Sequence, residues 1–146
     1  MENDVRYTLY KEECASCHMA YPARFLPARS WQKMLTTLDQ HFGDNATLEP
    51  ATLQTIGQYL QDNSADAVSS HRGAKILRSI DSDSTPQRIS ELPYMQRKHR
   101  KIPDRLIRTN EKVKSLANCA ACHQSADRGS FDDDHVRIPG YGRWHD

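Results

Sequence analysis

Two stretches decide the fold: Cys14-Ala15-Ser16-Cys17-His18 near the start of the chain and Cys119-Ala120-Ala121-Cys122-His123 near its end. Together they use all four cysteines of the 146-residue sequence. Each has the spacing C-x-x-C-H, the pattern of covalent c-type haem attachment. Thiols three positions apart lie on one turn, where they can form thioethers to two vinyl groups, and the adjacent histidine supplies a proximal nitrogen to the iron. With 7 His in 146 residues, a histidine after both pairs would arise by chance about once in four hundred sequences. A redox dithiol needs no such histidine. A four-thiolate zinc site usually separates its pairs by about 15–20 residues, whereas 101 residues lie between Cys17 and Cys119.

Composition agrees with two bound haems. The hydrophobic fraction is 37%, below the roughly 45–50% of an average domain, so a large flat apolar cofactor would supply missing core. The 20 basic and 19 acidic residues leave a net charge of +1, which argues against a nucleic-acid-binding surface. Mean hydropathy is -0.82, and no apolar run is long enough to span a membrane. The balance conceals an asymmetry: no basic residue stands between Lys33 and Arg72, whereas Arg97 to Lys114 holds eight basic residues against Asp104 and Glu111.

Periodicity predicts an all-α, loop-rich fold of two haem-binding lobes, residues 1–63 and 74–146, joined by a connector at 64–73. Val5, Leu9 and the Cys14 turn recur at helical spacing before Pro22 and Pro27. Ser30 is the expected N-cap of a helix carrying Trp31, Met34, Leu35, Leu38 and Phe42 on one face and stopping at Gly43. Pro50 opens a third helix with Leu53, Ile56 and Leu60 on its buried side and Gly57 allowing close approach. Helical pieces follow at 74–80 and 94–101, Asn110 caps a helix running into the second motif, and residues 129–146 read as irregular coil wrapping the second haem.

The sixth iron ligand separates electron transfer from gas binding or peroxide chemistry. His41 falls on the apolar stripe of the second helix, and His99 shares a face with Met95 and Ile102. The expected iron ligands are therefore His18 with His41 and His123 with His99. His71 and His135 are the alternatives for a distal position, and His145 lies close to the terminus. Met19 adjoins a proximal histidine, while Met34 and Met95 are expected in the core. Asp132, Asp133 and Asp134 lack the glycine and glutamate of a calcium loop and read as a solvated turn.

At these residues the chain resembles the small dihaem cytochromes c that serve as redox partners of the oxygen-binding monohaem sphaeroides haem protein and often accompany a membrane b-type cytochrome. The resemblance rests on CASCHMAYPARFLPARSW from Cys14, HFGDNA from His41, AKILRSI from Ala74, TPQRIS and LPY between Thr85 and Tyr94, KVKSLANCAACH from Lys112, and FDDDHVRIP from Phe131. It implies two covalently bound haems on Cys14, Cys17, Cys119 and Cys122, bis-histidine ligation with distal positions at His41 and His99, and no catalytic turnover. It also implies periplasmic export. The first thirteen residues contain no secretory apolar run, so a leader removed from the mature chain is expected. The competing expectation is one five-coordinate haem that binds gas or reduces peroxide, with a structural zinc protein third.

Overall fold

The computed structural model describes residues 4–15 and 19–145. Among them are five α-helices, α1 (Val5–Cys14), α2 (Ala28–Thr36), α3 (Pro50–Asp62), α4 (His71–Ser79) and α5 (Pro93–His99), linked by loops and single 3-10 turns. Two strands of two residues each, β1 (Arg137–Ile138) and β2 (Gly142–Arg143), pair antiparallel near the C-terminus. The all-α, loop-rich expectation holds.

Helix α1 ends at Cys14 as its spacing predicts, but it buries a different face. Val5 is 82% exposed, and Tyr10 is buried at 4%. Tyrosines pack better than the small β-branched residue here because α1 lies on α3, where Tyr10 meets Tyr59 at a ring separation of 5.6 Å and Trp31 of α2 edge-on at 6.3 Å. Helix α3 starts at Pro50, and its Ile56 and Leu60 are fully buried. Gly57 permits the approach of α2: a Cβ there would stand 3.3 Å from Leu35 Cδ1.

Helix α2 departs from its expected limits at both ends. It begins before Ser30, with Pro27 at the N-cap position and the Asp66 carboxylate accepting from the Ala28 N–H at 2.9 Å. A side chain 38 residues away thus does the work of a local cap, and Ser30 is left inside the helix, fully buried, its hydroxyl unpartnered. The helix stops at Thr36, where the hydroxyls of Thr36 and Thr37 turn back to the Lys33 carbonyl, a local competition that disfavours continuation. A 3-10 turn (Leu38–Gln40) and a tight turn closed by His41 and Asp44 follow. His41 is therefore not on a continuous helical stripe. Phe42 is 44% exposed and, like Gly43, has positive φ.

The connector is less of a spacer than its composition indicates. Ser64 and Ala65 are buried, and the Ala65 N–H donates to the Leu26 carbonyl at 2.9 Å. Ser70 caps α4 through the Gly73 N–H. One apolar cluster extends from Tyr10 through Leu26, Ile56 and Ile76 to Leu92 and Phe131, drawing on residues either side of the connector. A smaller cluster of Leu106, Val136 and Ile138 lies near the second motif.

The helix expected from Asn110 into the second motif does not form. Asn110 Oδ1 accepts from the Lys112 N–H, its Nδ2 donates to the carbonyls of Leu106 and Pro139, and Lys114 adopts φ +69°. Those side-chain bonds replace the helical ladder.

Two measurements test this packing. Ser30→Ala removes a buried hydroxyl that has no partner, so it is expected to stabilise the protein by about 1 kcal/mol in denaturant unfolding. Arg6 bridges α1 to α3 by bonding Asp4 at 2.7 Å and Asp62 at 2.8 Å, and it holds both carboxyls below their ordinary 3.8. A depressed folded pKa stabilises above the unfolded value, and the contribution disappears as pH falls through the folded one. Asp62→Asn is accordingly expected to lower the melting temperature at pH 7, with the difference from wild type shrinking below about pH 4.

Candidate haem site

The second motif is held on one turn by its own backbone. Cys119–Ala121 form a 3-10 turn, and the N–H groups of Cys122 and His123 both donate to the Cys119 carbonyl, at 3.2 and 2.8 Å. The segment is pinned from the C-terminal side as well, by a bridge between His123 and Val136 and by Arg137 N–H donating to the Cys122 carbonyl at 3.1 Å. Both cysteines and His123 line a cavity of about 300 Å³. Its walls come from most of the chain: Tyr21 and Phe25 from the first third, Ile89 and Tyr94 from the middle, and Phe131, Val136, Ile138 and Trp144 from the end.

His99 faces His123 across this space. The ring centroids are 6.4 Å apart and the planes nearly perpendicular. A metal held between two imidazoles, about 2.0–2.1 Å from each nitrogen, requires centroids about 6.3 Å apart. His99 Nδ1 is 2.7 Å from the Met95 carbonyl, one turn earlier in α5. Donation from that nitrogen fixes the tautomer and leaves Nε2 with its lone pair free for a ligand bond. Burial, together with His99 and the Arg72 guanidinium, pushes the His123 imidazole down to about 4, so the His123 ring is neutral at pH 7. Phe131 packs against His123 at 5.1 Å and against Phe25 at 5.0 Å, fixing the ring from behind.

Burial also pushes the thiols of Cys14 and Cys119 up to about 11 and raises that of Cys122. An activated dithiol would show the reverse. Nor do three or more His, Cys, Asp or Glu side chains converge on an ion site among the described residues, as a four-thiolate site including Cys14, Cys119 and Cys122 would require. An apolar cavity closed by two opposed imidazoles and edged by two thiols fits a covalently attached haem.

Of the other expected site residues, Cys14 ends α1 half-buried against the main core, while Cys17 and His18 lie outside the described residues. His41 is half-buried in its turn, its ring 4.6 Å from Phe42. His71 is exposed at the first turn of α4, and His135 is exposed with Nδ1 3.9 Å from Asp132. His145 is exposed at the cavity's edge. Sequence reasoning did not single out Tyr21, Phe25 and Trp144 as cavity walls. No local signal marks them, because their roles depend on long-range packing.

A family model described as dihaem cytochrome c matches residues 10–131. The chain belongs to the dihaem cytochrome c family. Its members are generally electron carriers, and membership brings two covalently bound c-type haems. The solved dihaem cytochrome c of Shewanella baltica OS155 is 39% identical, with 96% of this chain and 98% of that one covered and a TM-score of 0.79. A dihaem cytochrome c from Rhodobacter sphaeroides is 46% identical over 85% of this chain and 95% of its own, with a TM-score of 0.76. A crystal structure of the protein purified from that organism gives 44% identity, coverages of 85% and 96%, and a TM-score of 0.66. Among curated proteins, none matches the sequence.

One hydrogen bond ties the two attachment regions of this dihaem cytochrome together. The Tyr21 hydroxyl, three residues beyond His18, donates at 2.7 Å to the carbonyl of Ala117, two residues before Cys119. Tyr21→Phe is expected to cost about 1–2 kcal/mol in guanidinium unfolding of the haem-loaded protein, with an unchanged visible spectrum.

Proposed function

We propose that this protein is a periplasmic electron carrier, not an enzyme, in which two low-spin haems, each with two histidine ligands, pass single electrons between a donor and a haem-protein acceptor. The observation that carries the reading is the opposition of His99 and His123 at 6.4 Å. An iron held by both histidines would have no open position for gas or peroxide.

Cys119 and Cys122 would hold the second haem through thioethers, with His123 and His99 as its histidine ligands. Cys14 and Cys17 would hold the first, with His18 and His41 as its histidine ligands. When bound, the haem iron supplies one-electron redox chemistry. The chain's own residues do the rest. Met95 orients His99 through its carbonyl, Phe131 buttresses His123, and Phe25, Ile89, Leu106 and Ile138 exclude water from the cavity. Exclusion of water limits solvent reorganisation around the iron and tunes its potential.

The sequence resemblance supports an oxygen-binding monohaem cytochrome as acceptor and a membrane b-type cytochrome as donor, and the chemistry of c-haem attachment supports the periplasm. No helix among the described residues is long and apolar enough to cross a membrane, which is consistent with a carrier that meets a membrane donor by docking.

Intact mass under denaturing conditions is expected to exceed the chain by two haems; a colourless protein with bound zinc would refute the reading. The ferrous visible spectrum is expected not to change on adding carbon monoxide. His99→Ala is expected to open one haem, giving a high-spin signal and carbon monoxide binding at half the sites, with the other half unaffected. Carbon monoxide binding by the wild type, or no spectral change on His99→Ala, would remove the bis-histidine assignment at the second haem.

A further inference from the structure

The eight basic side chains between Arg97 and Lys114 are all exposed. Among the described residues the ion pairs include just one of them, Lys98 with Asp133 at 3.1 Å. Part of this stretch lines an open groove next to the haem cavity. His99, Ile102, Ile107 and Leu116 line both spaces. Arg100, Arg108 and Lys114 line the groove alone, together with the acidic Glu91 and Asp104. His99 and the apolar residues therefore share the groove with three cations and two carboxylates, a net positive lining.

We infer that this groove is the docking surface for an acidic redox protein, which exchanges electrons with the second haem past His99. The inference rests on the electron-carrier reading above and adds to it the entry point and the charge of the partner. Two features select a protein over an anionic membrane. Glu91, Asp104 and Glu111 are interspersed with the cations, which a uniformly anionic lipid surface would repel and a protein of mixed charge would match. The large exposed apolar side chains, Val5, Phe42 and Tyr141, also lie outside this stretch, so nothing in it would insert into lipid.

The opposite charge lies elsewhere on the chain. The segment between Lys33 and Arg72 carries Asp39, Asp44, Glu49, Asp62 and Asp66 with no basic residue, and all five are exposed. An acidic partner is thus repelled from that segment and attracted to the groove, which raises the fraction of encounters that present its redox centre to His99. Each transfer takes one electron from the partner and adds it to one ferric iron, with no bond made or broken.

The test uses haem-loaded protein and flavodoxin hydroquinone as an acidic one-electron donor, with a photogenerated neutral flavin radical as the uncharged control. The stopped-flow rate with flavodoxin is expected to fall about tenfold or more as salt rises from about 0.01 to 0.15 M and the Debye length contracts from about 30 to about 8 Å. Arg100→Glu with Arg108→Glu is expected to slow the low-salt reaction about tenfold and flatten its salt dependence, to weaken calorimetric binding of flavodoxin correspondingly, and to leave the neutral-radical rate unchanged. Asp39→Lys with Asp44→Lys is expected not to slow the flavodoxin reaction. A flat salt profile, or an unaltered rate and affinity in the arginine variant, overturns the groove assignment while leaving the carrier reading intact. Arginine-dependent binding to phosphatidylglycerol vesicles with no effect on flavodoxin overturns it in favour of a membrane. Failure of the neutral radical to reduce the wild type overturns both readings.

Discussion

Two imidazoles held opposite one another across an apolar cavity, His99 and His123, impose the main constraint on the C-terminal half of this protein. His99 ends a two-turn helix and His123 follows a 3-10 turn, in a single bridge to Val136, and neither short element can fix a ring by itself. The Met95 carbonyl locks His99 from within α5, while Phe131 backs His123 and is itself backed by Phe25. Arg24 and Arg72 tie the same region to the first half by donating to the carbonyls of Gly129 and Phe131. The loops from 100 to 118 and from 129 to 145 have little regular structure because their task is to surround the cavity. Their backbone groups are satisfied by side chains such as Asn110 and Asn118.

The low apolar content has a structural counterpart. The described residues make one large apolar cluster and one small one, and the candidate haem cavity draws its walls from both. A haem occupying that space would join them into a continuous core. Atoms that line a void have no dispersion partners on one side and acquire them when it is filled, so attachment of the cofactor and completion of the fold are the same event for this half of the molecule. Covalent thioethers suit such an arrangement, since they keep the group in place while the loops close around it.

Charge is organised separately from packing. The 20 basic and 19 acidic residues of the chain nearly cancel, yet five acidic residues from Asp39 to Asp66 and eight basic ones from Arg97 to Lys114 form two exposed sets of opposite sign. Their separation along the sequence is an asymmetry that the net charge does not reveal. The field of exposed charges reaches about a Debye length into solution, far enough to orient an approaching partner.

The sequence by itself determined the chemistry. Paired C-x-x-C-H motifs are local patterns whose meaning depends on adjacent atoms, and the family, the cofactor and the all-α class followed from them with the help of the starts of α3 at Pro50 and α5 near Tyr94. His99 was legible for a similar reason: Met95 and His99 are one helical turn apart, so periodicity alone placed them together. Tertiary structure decided what depended on distant partners. Asp66 capped α2 in place of Ser30, and tyrosines of α1 found Tyr59 while Val5 stayed exposed. The threonines ended α2 before His41, so that residue sits in a turn and not on a helical stripe. Asn110, bonded to Pro139, gave up the helix its sequence advertised. The cavity walls were decided the same way. Tyr21, Phe25 and Trp144 carry no local mark of their function, because burial around a shared space is a property of the assembled chain and not of any window along it.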